Sequence, residues 1–188
     1  MPMLIDTDSR ADVLVRAINY VLADHGPAGL TLRTIARASG VSTSSMLHHL
    51  GSREHLIRVA AHRTARGRLS WLRAESSLDG ALAFIPRTAD EVIDARTWLA
   101  WLELWRSEEF LERVIAEARD EERGLLASVL GYRLTRPELD AAYALIDGLL
   151  TAICSPRQPM RLDQARRLLA GHLDVPMSHL RVAAGPPL

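Results

Sequence analysis

Lysine is absent from this chain, cysteine occurs once, and only 5% of the residues are aromatic. The single thiol, Cys154, excludes an intrachain disulfide framework and any zinc site built on several cysteines. It lies in an apolar helical pattern with Leu149, Leu150 and Ile153, so packing is expected of it and not redox sensing, because reactive thiols sit in exposed electropositive surroundings. No apolar run approaches the roughly 18 residues that a membrane span requires. Met1–Asp8 carries acids in place of a basic region followed by an apolar stretch, so it does not read as a secretory signal, and the cytoplasm is the expected location. HExxH, GxSxG, GxxxxGK and GxGxxG are all missing, and the acid pairs Glu108, Glu109 and Glu121, Glu122 read as exposed helix faces. No catalytic residue, cofactor or enzymatic activity is therefore expected.

With no lysine, every cationic side chain is an arginine. Genomic base composition accounts for that first, but the physical result is a set of guanidinium forks suited to bidentate contact with phosphate or guanine. The formal net charge of +0 conceals a dipole. Residues 1–73 hold ten arginines against five acids, a surplus of +5, and residues 74–188 hold thirteen against eighteen. From Thr31 to Arg73, eight arginines face Glu54 alone. Such a concentration is an electrostatic footprint for phosphate, although a solvated basic face would look the same.

Periodicity is helical nearly throughout, and the expected fold is all-α with roughly nine helices. Val13, Leu14, Ala17, Ile18, Val21 and Leu22 form one stripe of a helix over about Ser9–Asp24, ended by His25-Gly26-Pro27-Ala28-Gly29. Thr31 can cap a helix over Leu32–Ser39, stopped by Gly40, and Ser42 can cap another over Thr43–Leu50. A fourth starts at Arg53 and runs toward Trp71, with a junction near Ala74–Asp79. Further helices are expected over Leu78–Ile85, Thr88–Trp105, Glu108–Leu130, Pro137–Cys154 and Leu162–Leu173, punctuated by Pro86, Pro137, Pro156 and Pro159, with a loose tail after Pro176.

Two short helices joined through Ser39-Gly40-Val41-Ser42 meet the geometric needs of a helix-turn-helix. Ala36 lets the helices cross closely, and Ile35, Val41, Met46 and Leu50 supply the wedge beneath. The outward residues of the third helix, Thr43, Ser44, Ser45, His48 and His49, are short or polar and can approach base edges in a major groove. Adjacent histidines point to different faces, and His55 and His62 stand roughly 10 Å apart along a helix, so no metal site is expected.

Residues 13–60 resemble the DNA-binding domain of TetR-type regulators, most plainly over LTLRTIARASGVSTSSMLHHLGSREHLI. In that family a basic residue commonly follows the turn serine and an aromatic lies four positions later, both touching phosphate. This chain has Thr43 and Leu47 there, so two usual anchors are missing or weakened. Thr31, Ser42 and Arg53 match positions that typically hold the DNA backbone, and Arg33 could assist. The resemblance divides the chain into a reader, residues 1–52, and a ligand-binding and dimerisation domain, residues 53–188.

Farther on, RTWLAWLELW, LIDGLLTAICSP and LDQARRLLAGHL resemble the BetI-like branch of the same family. That implies a homodimer in which the last two helices of each copy form a four-helix interface. Leu139, Tyr143, Ile146, Leu150 and Ile153, then Arg166, Leu169 and Leu173, are the residues assigned to it, with Ala142, Gly148 and Ala152 permitting close approach. A lone buried core helix would carry the same stripe. Trp98, Trp101 and Trp105 recur at i, i+3 and i+7 and, with Leu102, could line a pocket for an aromatic, lipid-like or cationic effector, or else could be core. The implied function is a transcriptional regulator, a repressor released from its double-stranded DNA operator by an unidentified small molecule. The alternative is a helical dimer that binds a ligand or protein and has lost DNA binding.

Overall fold

The computed structural model describes residues 7–131 and 134–173, with side chains from Ala11 onward except those of His49 and Leu50. The expected tail after Pro176 lies outside the described residues. The order is α1 (Thr7–His25), α2 (Leu32–Ser39), α3 (Thr43–Leu50), α4 (Arg53–Asp79), α5 (Ala89–Leu104), α6 (Glu112–Val129), α7 (Arg136–Ile153) and α8 (Leu162–Leu173). Three short 3-10 segments, Pro27–Gly29, Gly80–Phe84 and Glu109–Leu111, join some of these. Among the described residues there is no strand, and no helix is long and apolar enough to cross a membrane.

The expected break near Ala74–Asp79 does not occur. Nothing between Arg68 and Asp79 interrupts the helical backbone, and α4 continues until Gly80, whose φ of 60° ends it. The helix expected over Leu78–Ile85 is therefore the last turn of α4 followed by the 3-10 segment. Ala81, Leu82, Ala83, Phe84 and Ile85 are all buried, which leaves little polar partner for their carbonyls. Arg166 provides one: its Nη1 donates to Leu82 O at 2.8 Å and Ile85 O at 3.1 Å, and its Nη2 donates to Asp79 Oδ2 at 2.5 Å. A short, tight segment can be buried here because a distant guanidinium satisfies Ile85 O and gives a second donor to Leu82 O, which already accepts the Ile85 N–H.

The chain forms two compact units, residues 1–68 with 100–118, and residues 69–99 with 119–188. In the first, the α1 stripe of Leu14, Ala17, Ile18, Val21 and Leu22 is buried, as are Ile35, Met46, Leu56 and Ile57. Asn19 fastens this core from inside: its Oδ1 accepts from Trp101 Nε1 and from Thr64 Oγ1, both at 3.0 Å.

The second unit is built on Leu72, Leu82, Phe84, Ile85, Leu126, Tyr143, Ile146, Leu150 and Leu169. It also buries a charge. Glu122, read from sequence as exposed, is 1% accessible and accepts the Tyr143 hydroxyl at 2.6 Å. Glu122 falls on the Ile115, Ala118, Leu126 face of α6, a periodicity that could have revealed it. Burial and the neighbouring Glu122 carboxylate push the Tyr143 phenol far above its ordinary ionisation range, so it stays a donor. Arg119 lies over the Tyr143 ring, 4.2 Å from its centroid, and donates to Asp147 Oδ1 at 2.8 Å. Cys154 is half-buried, and desolvation raises its thiol pKa, which keeps it protonated as the packing reading expects.

Candidate nucleic-acid interface

The α2–α3 corner is defined by its caps. Thr31 Oγ1 accepts from Thr34 N–H at 3.1 Å, and Thr34 Oγ1 accepts from Thr31 N–H at 3.0 Å, so two of the free donors at the start of α2 find a side chain. Gly40, at φ 70°, closes α2 in a left-handed conformation and donates to Ala36 O at 2.9 Å. Two residues later, Ser42 Oγ accepts from Ser45 N–H at 3.2 Å and starts α3. These features fix where the turn lies and which way α3 leaves it.

Met46 is 1% exposed and Ile35 0%, so the inner sides of α3 and α2 are committed to the core of the first unit. Thr43, Ser44 and His48 are thereby left facing solvent, and Ser45 is half-buried. The His49 side chain is outside the described residues. Thr31, Arg33 and Ser42 are exposed as well. Arg37, in the last turn of α2, is an exposed cation that reading by motif passed over.

Much of the arginine surplus is locally balanced. Arg53 Nη1 donates to Glu108 Oε1 at 2.8 Å, with the two side chains 38% and 22% exposed. Arg58 pairs with Glu54 one turn back and lies 5.5 Å over the Phe110 ring. Arg63 meets Asp12 at 2.5 Å. The acid opposite Arg53 stands 55 positions away in sequence, so no local pattern could have shown it. Glu108, expected on an open helix face, instead immediately precedes the 3-10 segment Glu109–Leu111 and holds the first residue of α4.

The other assigned residues lie elsewhere. Tyr143, Ile146, Leu150, Ile153, Arg166 and Leu169 are buried in the core of the second unit, and Leu139 and Leu173 are half-buried. The stripe assigned to a dimer is thus already covered by the chain itself. Arg166 is held inside by Asp79 and two carbonyls, since burying it unpaired would be far costlier. Trp98 and Trp101 are 1% and 0% exposed and belong to different units, while Leu102 and Trp105 are half-buried. An open hollow in the first unit is lined by Glu109, Phe110, Glu112, Arg113 and Ala116 and contains none of these four.

Comparison with known proteins agrees with this geometry. The family model described as bacterial regulatory proteins of the tetR family matches residues 14–60, the segment that forms most of α1 through the start of α4. The HTH-type transcriptional regulator BetI of Rhizobium meliloti is 29% identical, over 96% of this chain and 94% of its own length. BetI of Agrobacterium fabrum is 28% identical, over 93% and 91%. In fold, the chain is similar to a transcriptional regulator from Rhodococcus sp. Rha1, with a TM-score of 0.73 at 20% identity covering 87% of this chain and 95% of that one. It is also similar to the multidrug binding protein EbrR complexed with malachite green, with a TM-score of 0.65 at 23% identity covering 89% and 99%. The capped helix-turn-helix lies within the segment that the tetR-family model matches, and over nearly its whole length the chain is similar to two BetI transcriptional regulators.

Proposed function

We propose that this protein is a homodimeric repressor that reads a two-fold operator through α3 and is released by a small-molecule effector. The observation that carries the DNA reading is the solvent-facing side of α3: Thr43, Ser44 and His48 lie opposite the buried Met46, on a helix whose start is fixed by Ser42. Residues 1–52 act as the reader, with Thr31, Arg33, Ser42 and the histidines His48 and His49 as its contacts, joined by Arg53 at the start of α4. Residues 53–188 act as the sensor and dimer body. Binding to the duplex upstream of its own gene should fall steeply with added salt and exceed binding to random duplex, because phosphate neutralisation releases counterions while base contacts specify. Equal affinity for both duplexes at physiological salt would refute the repressor reading.

Arg53 acts as a phosphate anchor whose charge is shared with Glu108. Arg53→Ala should weaken binding about equally on all sequences and lower the salt slope by about one. Glu108→Gln should do the reverse, strengthening binding by up to about fivefold, the equivalent of the ~1 kcal/mol ceiling for a partly exposed ion pair. A fluorescence-anisotropy titration at several salt concentrations checks both. An unchanged slope in Arg53→Ala would remove it from the interface.

The dimer face lies on the outward sides of α7 and α8. Ala141, Ala144, Gly148 and Thr151 are exposed along α7, and Gln164, Leu168 and Gly171 along α8, with Leu168 47% accessible. Spacings of three and four residues put each set on one side of its helix, and the small residues of α7 allow close backbone approach. Two such pairs form a four-helix contact about a two-fold axis.

EbrR has been determined with malachite green, proflavin and ethidium, all cationic aromatic dyes. We assign this chemistry to the effector and its recognition to the end of α5 and the residue beyond it, where Trp101, Leu102 and Trp105 of the first unit offer aromatic and apolar surface. At 0% exposure, Trp101 can be reached only by displacing its neighbours, so ligand entry and rearrangement are one event. Effector and operator affinities are then reciprocally linked. Malachite green titrated into the free protein should quench tryptophan emission, and its failure to do so would exclude that ligand at α5.

A further inference from the structure

Leu47 is one of few large apolar side chains among the described residues that remain exposed, at 37%, and it stands on the helix proposed to enter the major groove. Thr43, Ser44, Leu47 and His48 recur at i, i+1, i+4 and i+5, a single stripe opposite Met46. Every other member of that stripe can donate or accept a hydrogen bond; leucine can do neither. Against a phosphate or a guanine edge it would strip water from polar atoms and return nothing, which is unfavourable. One chemical group in the major groove rewards it: the C5-methyl group of thymine, which none of the other three bases carries.

We propose that Leu47 is a specificity-determining residue that makes apolar contact with a thymine methyl group in each operator half-site. The position that lacks the family's aromatic phosphate anchor thereby becomes a base reader. Affinity is moved from a contact that every sequence offers to one that only a thymine at the right step provides. Ser44 and His48, beside Leu47 on the stripe, supply the polar part of the same reading. The inference rests on the DNA-binding reading above, and its test separates the two.

A duplex is first selected from a random pool by the wild-type protein. Each thymine in the protected region is then replaced singly by deoxyuridine, which deletes the methyl group and leaves base pairing intact. One position in each half-site should weaken wild-type binding by about fourfold, the usual effect of one methyl-sized apolar contact. Leu47→Ala, whose helical fold is verified by circular dichroism, should bind with the same salt slope but show no sensitivity to deoxyuridine at that position. Specific binding that is indifferent to deoxyuridine at every thymine would overturn the Leu47 assignment alone. Continued sensitivity of Leu47→Ala at the same position would do likewise. If no sequence emerges from the pool above random duplex, both the assignment and the DNA-binding reading fall.

Discussion

Replacing Ala144 with arginine should give a folded monomer whose operator affinity is lower by roughly 10²–10⁴-fold, the loss that accompanies uncoupling two linked binding events. Ala144 is exposed on α7, and arginine is among the better helix formers, so the second unit keeps its core. What changes is the contact with the second copy. In the proposed dimer each substitution near the two-fold axis meets its own image, which sets two guanidiniums against each other on a face of Ala141, Gly148 and Thr151 whose neighbouring acids, Asp140 and Asp147, are already paired with Arg123 and Arg119. Each reader alone then binds one half-site, without the effective concentration that its mate provided. Ala142 gives the contrasting result. It is 0% exposed, two positions away and turned into the core, so Ala142→Arg should yield misfolded protein where Ala144→Arg yields soluble monomer. Analytical ultracentrifugation and operator titration together decide it. A dimer that survives Ala144→Arg, or a monomer with undiminished affinity, would place the interface elsewhere.

This contrast marks how far the sequence could be read. Helices α2 and α3 were legible to the residue because each boundary carries its own chemistry: Thr31 and Ser42 as caps, Gly40 and Gly51 with φ near 70° as exits. Helix α8 was equally clear. The end of α4 was not, because Arg73, Ala74 and Glu75 favour continuation and only Gly80 stops it. The apolar stripe of α7 was visible, but periodicity reports that a helix has an apolar side without reporting what covers it. Tyr143, Ile146 and Leu150 pack into their own unit, and the outward face, poor in large side chains, gave a weaker signal. Contacts between distant segments were invisible in principle. Arg53 with Glu108 and Arg166 with Asp79 join residues 55 and 87 positions apart, and each looked like an ordinary charge on a helix. The same limit governs the tryptophans, since only the fold reveals that Trp101 spends its indole donor on Asn19.

The larger stability effect is expected from the second of those pairs. Asp79→Ala should destabilise the protein by about 3–5 kcal/mol, the range for removing one partner of a buried ion pair. Asp79 and Arg166 side chains are 6% and 5% exposed, so the guanidinium cannot turn to water when its carboxylate is gone. Against a total stability of about 5–15 kcal/mol for a domain, the loss should appear as a large drop in the urea midpoint at fixed protomer concentration. A double replacement separates charge pairing from the second duty of Arg166. Where an ion pair acts alone, substituting both partners by apolar side chains of similar size restores stability. Here Asp79→Leu with Arg166→Met should recover only part of it, because Ile85 O loses its donor inside the core, at about 1–3 kcal/mol, while Leu82 O is left with the Ile85 N–H alone. Full recovery would mean that Ile85 O finds another partner and that Arg166 is no more than a counter-charge. Partial recovery would identify it as the clamp that lets a 3-10 segment replace a helix between α4 and α5.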